Sequence, residues 1–177
     1  MRTALFPCLI SSEGFSSVIP EGCAWETGDE IDLEGPAGTA FRPPSRAQRW
    51  VLASFDNPAD RLLPLLFEGL HRGTELALVC SDPPPDMPEA LELNPPWQEA
   101  ATWADFIALD LGANLTSAEI LPSQVREGNF RAVVQALVTP PMPCGIGACG
   151  ACSVRTRRGW VLACRDGTVW EARDLPE

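Results

Sequence analysis

Residues 141 to 167 read PMPCGIGACGACSVRTRRGWVLACRDG, which sets four of the seven cysteines as Cys144-x4-Cys149-x2-Cys152-x11-Cys164. Three thiols inside nine residues cannot spread through a core; the loop that carries them has to wind around something. Gly145, Gly147 and Gly150 let such a loop adopt positive φ and approach closely, so they are the expected cofactor-binding positions. The spacing of the first three cysteines is that which wraps a plant-type [2Fe–2S] cluster, the fourth thiolate arriving from farther along the chain. Backbone N–H groups of the loop would then hydrogen-bond the sulfurs. The segment Val154 to Val161, turning at Arg157-Arg158-Gly159, reads as a β-hairpin that returns Cys164 to the other three. The expected metal ligands are Cys144, Cys149, Cys152 and Cys164.

Structural zinc is the competing reading of the same residues. Zinc ribbons use two C-x2–4-C knuckles set well apart, whereas this tail has one tight triple and a single distant cysteine. A [4Fe–4S] site would more typically show C-x2-C-x2-C. Cys8, Cys23 and Cys80 have no such company and read as small buried hydrophobes.

The rest of the chain supplies a scaffold. Its 177 residues, 45% of them hydrophobic, suffice for one domain or two small ones. Before about Arg46 the pieces are short and strand-like: Ala24 to Leu33 alternates, with Ile31 and Leu33 on one face, and Gly35-Pro36-Ala37-Gly38 ends it in a turn. From Trp50 the rhythm changes. Trp50 to Phe55 is a continuous apolar strand of the kind buried on both faces. Asp56-Asn57-Pro58 offers a helix start, leucines at 62, 63, 66 and 70 mark one helix face, and Gly73 stops it. Further strands are expected at Glu75–Cys80, Leu91–Leu93, Asp105–Asp110 and Arg131–Val138. Strands alternating with crossovers predict a parallel sheet of the Rossmann-like, doubly wound kind. The expected class is α/β: a β-barrel remnant over 1–46, a Rossmann-like domain over 47–138, and a small C-terminal [2Fe–2S] domain over 139–177.

Net charge is −11, against binding a phosphate backbone or an anionic membrane. Residues 1–138 hold 20 acids and 8 arginines, whereas residues 139–177 hold 4 acids and 5 arginines. The tail is thus the one segment that is not net negative. Arg155, Arg157 and Arg158 are either a solvated hairpin or a docking rim for an acidic or flavoprotein partner, and Trp160 and Trp170 are expected to pack over the cluster. No apolar run approaches the roughly 20 residues a bilayer requires, and an odd cysteine count suits a reducing compartment, so a cytoplasmic location is expected. The turn after the first strand, Ser54 to Pro58, lacks the glycines of a nucleotide loop, and Asp56 sets the wrong charge beside a phosphate. His71 fits a helix C-terminus, and Asp56, Asp60, Asp105 and Asp110 fit solvated edge and cap positions.

MPCGIGACGACSV followed by WVLACRDGTVW resembles the iron–sulfur tail of the dihydroorotate dehydrogenase electron transfer subunits, a branch of the ferredoxin reductase superfamily. Gly28-Asp29-Glu30-Ile31 and Gly35 to Phe41 resemble that family's junction between flavin barrel and nucleotide domain. The resemblance implies a one-electron relay in pyrimidine biosynthesis, working in a hetero-oligomer with an FMN-containing dehydrogenase catalytic subunit. It also implies FAD and a route from NADH. The family's Arg-x-Tyr/Phe-Ser flavin motif is missing here, the chain has no tyrosine, and most of the barrel is absent. A relay on a reduced scaffold is therefore the expectation. A complete FAD/NAD-dependent reductase with an atypical flavin site, or a zinc-stapled scaffold without redox chemistry, stays open.

Overall fold

The computed structural model describes residues 4–19, 22–35, 38–55, 57–112 and 131–176. Strands β1 (Pro7–Ser11) and β2 (Gly14–Ser17) pair as an antiparallel hairpin. The apolar run at Trp50 lies in β3 (Arg49–Ser54), which leads through a 3-10 turn at Ala59–Leu62 into helix α1 (Leu63–Arg72). Then come β4 (Glu75–Cys80), β5 (Leu91–Leu93), α2 (Trp97–Trp103), β6 (Phe106–Asp110) and β7 (Val133–Leu137). The tail contributes the hairpin β8 (Ser153–Thr156) and β9 (Gly159–Leu162), a helical turn α3 (Ala163–Asp166), and β10 (Val169–Glu171).

Six strands form one sheet in the order β10-β7-β6-β3-β4-β5. All neighbours are parallel except β10, which runs antiparallel to β7. The chain enters at the centre, steps outward to β4 and β5, then returns to lay β6 and β7 on the other side of β3. That is the doubly wound order, and its switch point falls between the carboxyl ends of β3 and β6.

Alternation along the central strands divides the core between two faces. Trp50, Leu52, Phe106 and Ala108 turn to the side of α1, where they meet Leu62, Leu63, Leu65 and Leu66. The Trp50 and Phe106 rings meet edge to face, 5.7 Å between centroids. Val51, Ala53, Ile107 and Leu109 turn the other way, against Ala100 and Ala101 of α2, Ala104 just after it, and the tail. α1 stops where expected, at Gly73 with φ 71° in the left-handed region. Its Gly69 lets helix and sheet close up, since a Cβ there would stand 2.8 Å from Leu76 Cδ2.

One expectation meets a different structure. Residues 24–33 form no strand: the Glu26 N–H donates to the Asp29 carboxylate, the Asp29 N–H donates to the Glu26 carbonyl, and Gly28 has φ 102°. A turn therefore interrupts the alternating run, and Ile31 and Leu33 are left exposed. At the start of the first crossover, Asp56 lies outside the described residues, as do Pro36 and Ala37 of the earlier turn. Among the described residues no helix is long and apolar enough to cross a membrane.

Candidate metal centre

The β8–β9 hairpin folds as expected, with Ser153 opposite Leu162 and Thr156 opposite Gly159. Its closing bond is the Ala163 N–H donated to the Cys152 carbonyl at 3.0 Å. That single bond sets Cys164 beside Cys152. Their sulfurs stand 3.3 Å apart, well beyond the about 2.05 Å of a disulfide, and all seven cysteines are free thiols. Both side chains are buried in the apolar cluster shared with Ile107, Leu109 and Ala136, so the hairpin roots this end of the centre in the sheet.

Cys144 and Cys149 lie at the outer end, half-buried and exposed respectively. Gly145, Gly147 and Gly150 have φ of 67°, 77° and 73°, the left-handed region that residues with a Cβ avoid. These three turns aim backbone donors at sulfur. The N–H groups of Cys149 and then Ile146, followed by the Cys149 thiol and the Ala148 N–H, bring the Cys144 thiol down to about 6. The Gly147 N–H points toward the Cys164 sulfur. Burial raises the Cys164 thiol, and the neighbouring sulfurs of Cys152 and Cys144 add to that rise.

These observations fit an iron–sulfur group. The loop supplies N–H donors to sulfur, as a cluster's thiolates require, and it gathers sulfurs whose anionic forms repel unless a cation lies among them. The four thiols stand as two pairs, Cys144 with Cys149 and Cys152 with Cys164. Among the described residues no three His, Cys, Asp or Glu side chains are gathered as a single ion would need.

The tail is held against the sheet by contacts that motif reading did not reveal. β10 adds to the edge of β7, with Val169 opposite Leu137. Residues 38–42 strap over the junction. Thr168 Oγ1 donates to the Thr39 carbonyl at 3.0 Å, Thr39 Oγ1 donates to the Val169 carbonyl at 3.1 Å, and the Arg42 N–H donates to Gln135 Oε1 at 2.8 Å. Gly167 is needed here, because a Cβ on it would lie 2.5 Å from Thr39 Oγ1. The buried Gln135 in an otherwise apolar strand was the one hint of this strap in the sequence.

Other candidates fall elsewhere. Cys8 and Cys80 are buried and Cys23 is half-buried. His71 sits in the last turn of α1. Trp160 does not cover the centre; it is 72% exposed, because its strand position faces outward beside Arg155. Asp105, half-buried, and Asp110, buried, stand at the two ends of the interior strand β6 and not at a sheet edge. Asp105 pairs with Arg49 at 2.7 Å, which holds its carboxyl at about 2, and Asp110 is buried against Arg61 at 2.8 Å.

Comparison with known proteins agrees with this geometry. Residues 140–175 match the family described as the iron-sulfur cluster binding domain of dihydroorotate dehydrogenase B. Curated proteins give no match. A solved structure, described as an NADH-dependent reduced ferredoxin-NADP oxidoreductase and studied for flavin-based electron bifurcation, is similar over 96% of this chain and 72% of that one. Its TM-score is 0.66 at 16% identity, so the two share a ferredoxin reductase-like fold.

Proposed function

We propose that the chain is an electron-transfer protein carrying one [2Fe–2S] cluster on Cys144, Cys149, Cys152 and Cys164. The carrying observation is the arrangement of four thiols as two pairs within a loop of sulfur-directed N–H donors. Two thiolates for each of two irons is what a dinuclear cluster takes. Bound there, the cluster supplies a single electron that iron can accept or release. The chain's own part is to hold the sulfurs. Cys152 and Cys164 anchor them in the core, and the glycine turns aim donors that favour the more negative, reduced state. The exposed Cys149 leaves the outer end within reach of a partner.

The partner proposed is the FMN-containing catalytic subunit of a dihydroorotate dehydrogenase, on the strength of the tail's family match and of the need of a one-electron centre for a second redox centre to exchange with. Within this reading residues 139–177 are the cluster domain, 47–138 its Rossmann-like support, and 1–46 a remnant of a flavin-type barrel. The visible spectrum of protein purified without oxygen, with iron and sulfide counted, tests the proposal. A charge-transfer envelope that bleaches on reduction is expected. A flavin doublet would replace the reading with a flavin reductase, and colourless protein containing zinc would replace it with a structural scaffold.

A further inference from the structure

The outward face of the β8–β9 hairpin runs without a break into the cysteine loop. Residues opposed in an antiparallel pair share a face, so Arg155 lies beside Trp160 and Ser153 beside Leu162. Val154 and Thr156 turn inward and are buried. Trp160 and Leu162, two apart on one strand, also share that face. Leu162 then meets the loop, since a Cβ on Gly147 would stand 3.4 Å from its Cδ1. Arg155, Trp160, Leu162 and the loop around Gly147 thus form one continuous surface.

This surface is apolar at its centre and positive at its edge. Trp160 is 72% exposed and Ile146 62%, and of the six tryptophans, all within the described segments, only Trp160 is exposed. Residues 144–162 contain three arginines and no acid. Taking that +3 from the total of −11 leaves −14 on the rest of the chain. Two of the arginines lean away: Arg157 Nε donates to the Leu175 carbonyl at 3.4 Å, and Arg158 pairs with Asp174 at 3.6 Å. Arg155 is the one on the face.

We infer that this face is where the chain docks to exchange electrons, with the Trp160 indole as its anchor and Arg155 at its rim. The partner that fits is a flavoprotein offering an apolar socket ringed by carboxylates. The inference rests on the electron-transfer reading above. In each encounter the partner's reduced flavin loses one electron and one ferric ion becomes ferrous; any flavin proton is released on the partner, and no bond forms or breaks in this chain. Exposed aromatic side chains seated in desolvated pockets carry a large share of interface energy, and rim charges act on association and its salt dependence.

The test is calorimetric titration of the iron-loaded chain with the FMN-containing dihydroorotate dehydrogenase subunit. Trp160→Ala is expected to weaken the complex at least about tenfold. Arg155→Glu should weaken it and flatten its response to salt. Phe67→Ala, an exposed apolar control on α1 across the sheet, should bind like the parent. Parent-like binding by both the Trp160 and Arg155 variants overturns the inference. If the parent chain does not bind that subunit, the partner assignment has failed instead, and the face is read with two small oxidants acting on dithionite-reduced chain. Arg155→Glu should then slow oxidation by ferricyanide and speed oxidation by hexaamminecobalt(III). Equal rates in parent and variant overturn the face, and a parent chain without iron overturns both readings.

Discussion

Arg61 Nε stands 2.8 Å from Asp110 Oδ2, across the carboxyl ends of β3 and β6. Arg61 Nη1 also donates to Thr139 Oγ1 at 2.9 Å, and Asp110 Oδ1 accepts the Gly112 N–H at 2.9 Å. Beside them Ser54 Oγ donates to the Asn57 carbonyl at 2.6 Å. Asn57 presses so closely on Gly112 that a Cβ there would lie 2.2 Å from its Oδ1. Doubly wound sheets take their ligands at this switch point. Among the described residues an internal ion pair and its hydrogen bonds lie there.

Breaking that pair has a predictable cost and a predictable pH dependence. Arg61→Ala leaves a buried carboxylate unpartnered and should destabilise the fold by roughly 3 kcal/mol at neutral pH. Burial already raises the Asp110 carboxyl, against the lowering pull of Arg61. Between the unfolded and the raised folded value, the folded state therefore keeps a proton that the unfolded chain has released. Stability falls as pH rises from the ordinary carboxylate range through the raised folded value. Removing Arg61 raises that value further. Urea melts should show the variant's deficit growing from acid toward neutral pH, and Asp110→Asn in the same background should flatten the profile.

The ion pair at the switch point also bears on cofactors. The isolated chain is expected to retain no stoichiometric FAD and to bind NADH without useful affinity. Equilibrium dialysis measures both. One-to-one FAD binding at micromolar concentration or tighter would mean that the flavin enters somewhere other than this crevice.

Ligand assignment is tested one cysteine at a time. Serine at 144, 149, 152 or 164 should abolish or severely deplete iron, from about two per chain in the parent. Serine at 8, 23 or 80 should leave iron content unchanged. An intact visible spectrum in two of the four tail variants would remove the assignment.

Gly147→Ala separates loop geometry from ligand chemistry. At φ 77° a Cβ is strained, costing roughly 1 kcal/mol, and it would bear on Leu162. Relaxing that strain should turn the Gly147 N–H away from the Cys164 sulfur. The expected result is faster bleaching in air and a lower midpoint potential, with all four thiols still present. A parent-like potential would show that this donor does not tune the site.

The central strands and the four thiols were legible in the sequence because each carries a local signal. Trp50 to Phe55 is too apolar to be anything but buried, Gly73 has the residue type a left-handed helix stop demands, and the tail cysteines have a spacing. Ile31 and Leu33 misled because alternation records a pattern and not the presence of a neighbouring strand; the Glu26–Asp29 turn decided otherwise. Asp110 and Arg61, 49 positions apart, have no local signature. Nor does Thr39 against Thr168, where two ordinary hydroxyls meet only once the sheet exists. Trp160 could be placed on the hairpin from its neighbours, but which side of the hairpin faced the core depended on Val154 and Thr156.

Because β10 follows Cys164 by only a few residues and pairs with β7, a cluster held by Cys164 would join iron retention mechanically to lateral closure of the sheet. During synthesis β7 emerges well before β10, so its flank stays unzipped while the ligand loop is being made. A chain that never acquires iron, or loses it to oxygen, is expected to hold Val169–Glu171 less firmly, and losing that strand would expose a row of unpaired amides and carbonyls on β7. Such a row recruits other chains. Oxidative damage to the centre would then be read out as self-association, long before the core around Trp50 and Phe106 gives way.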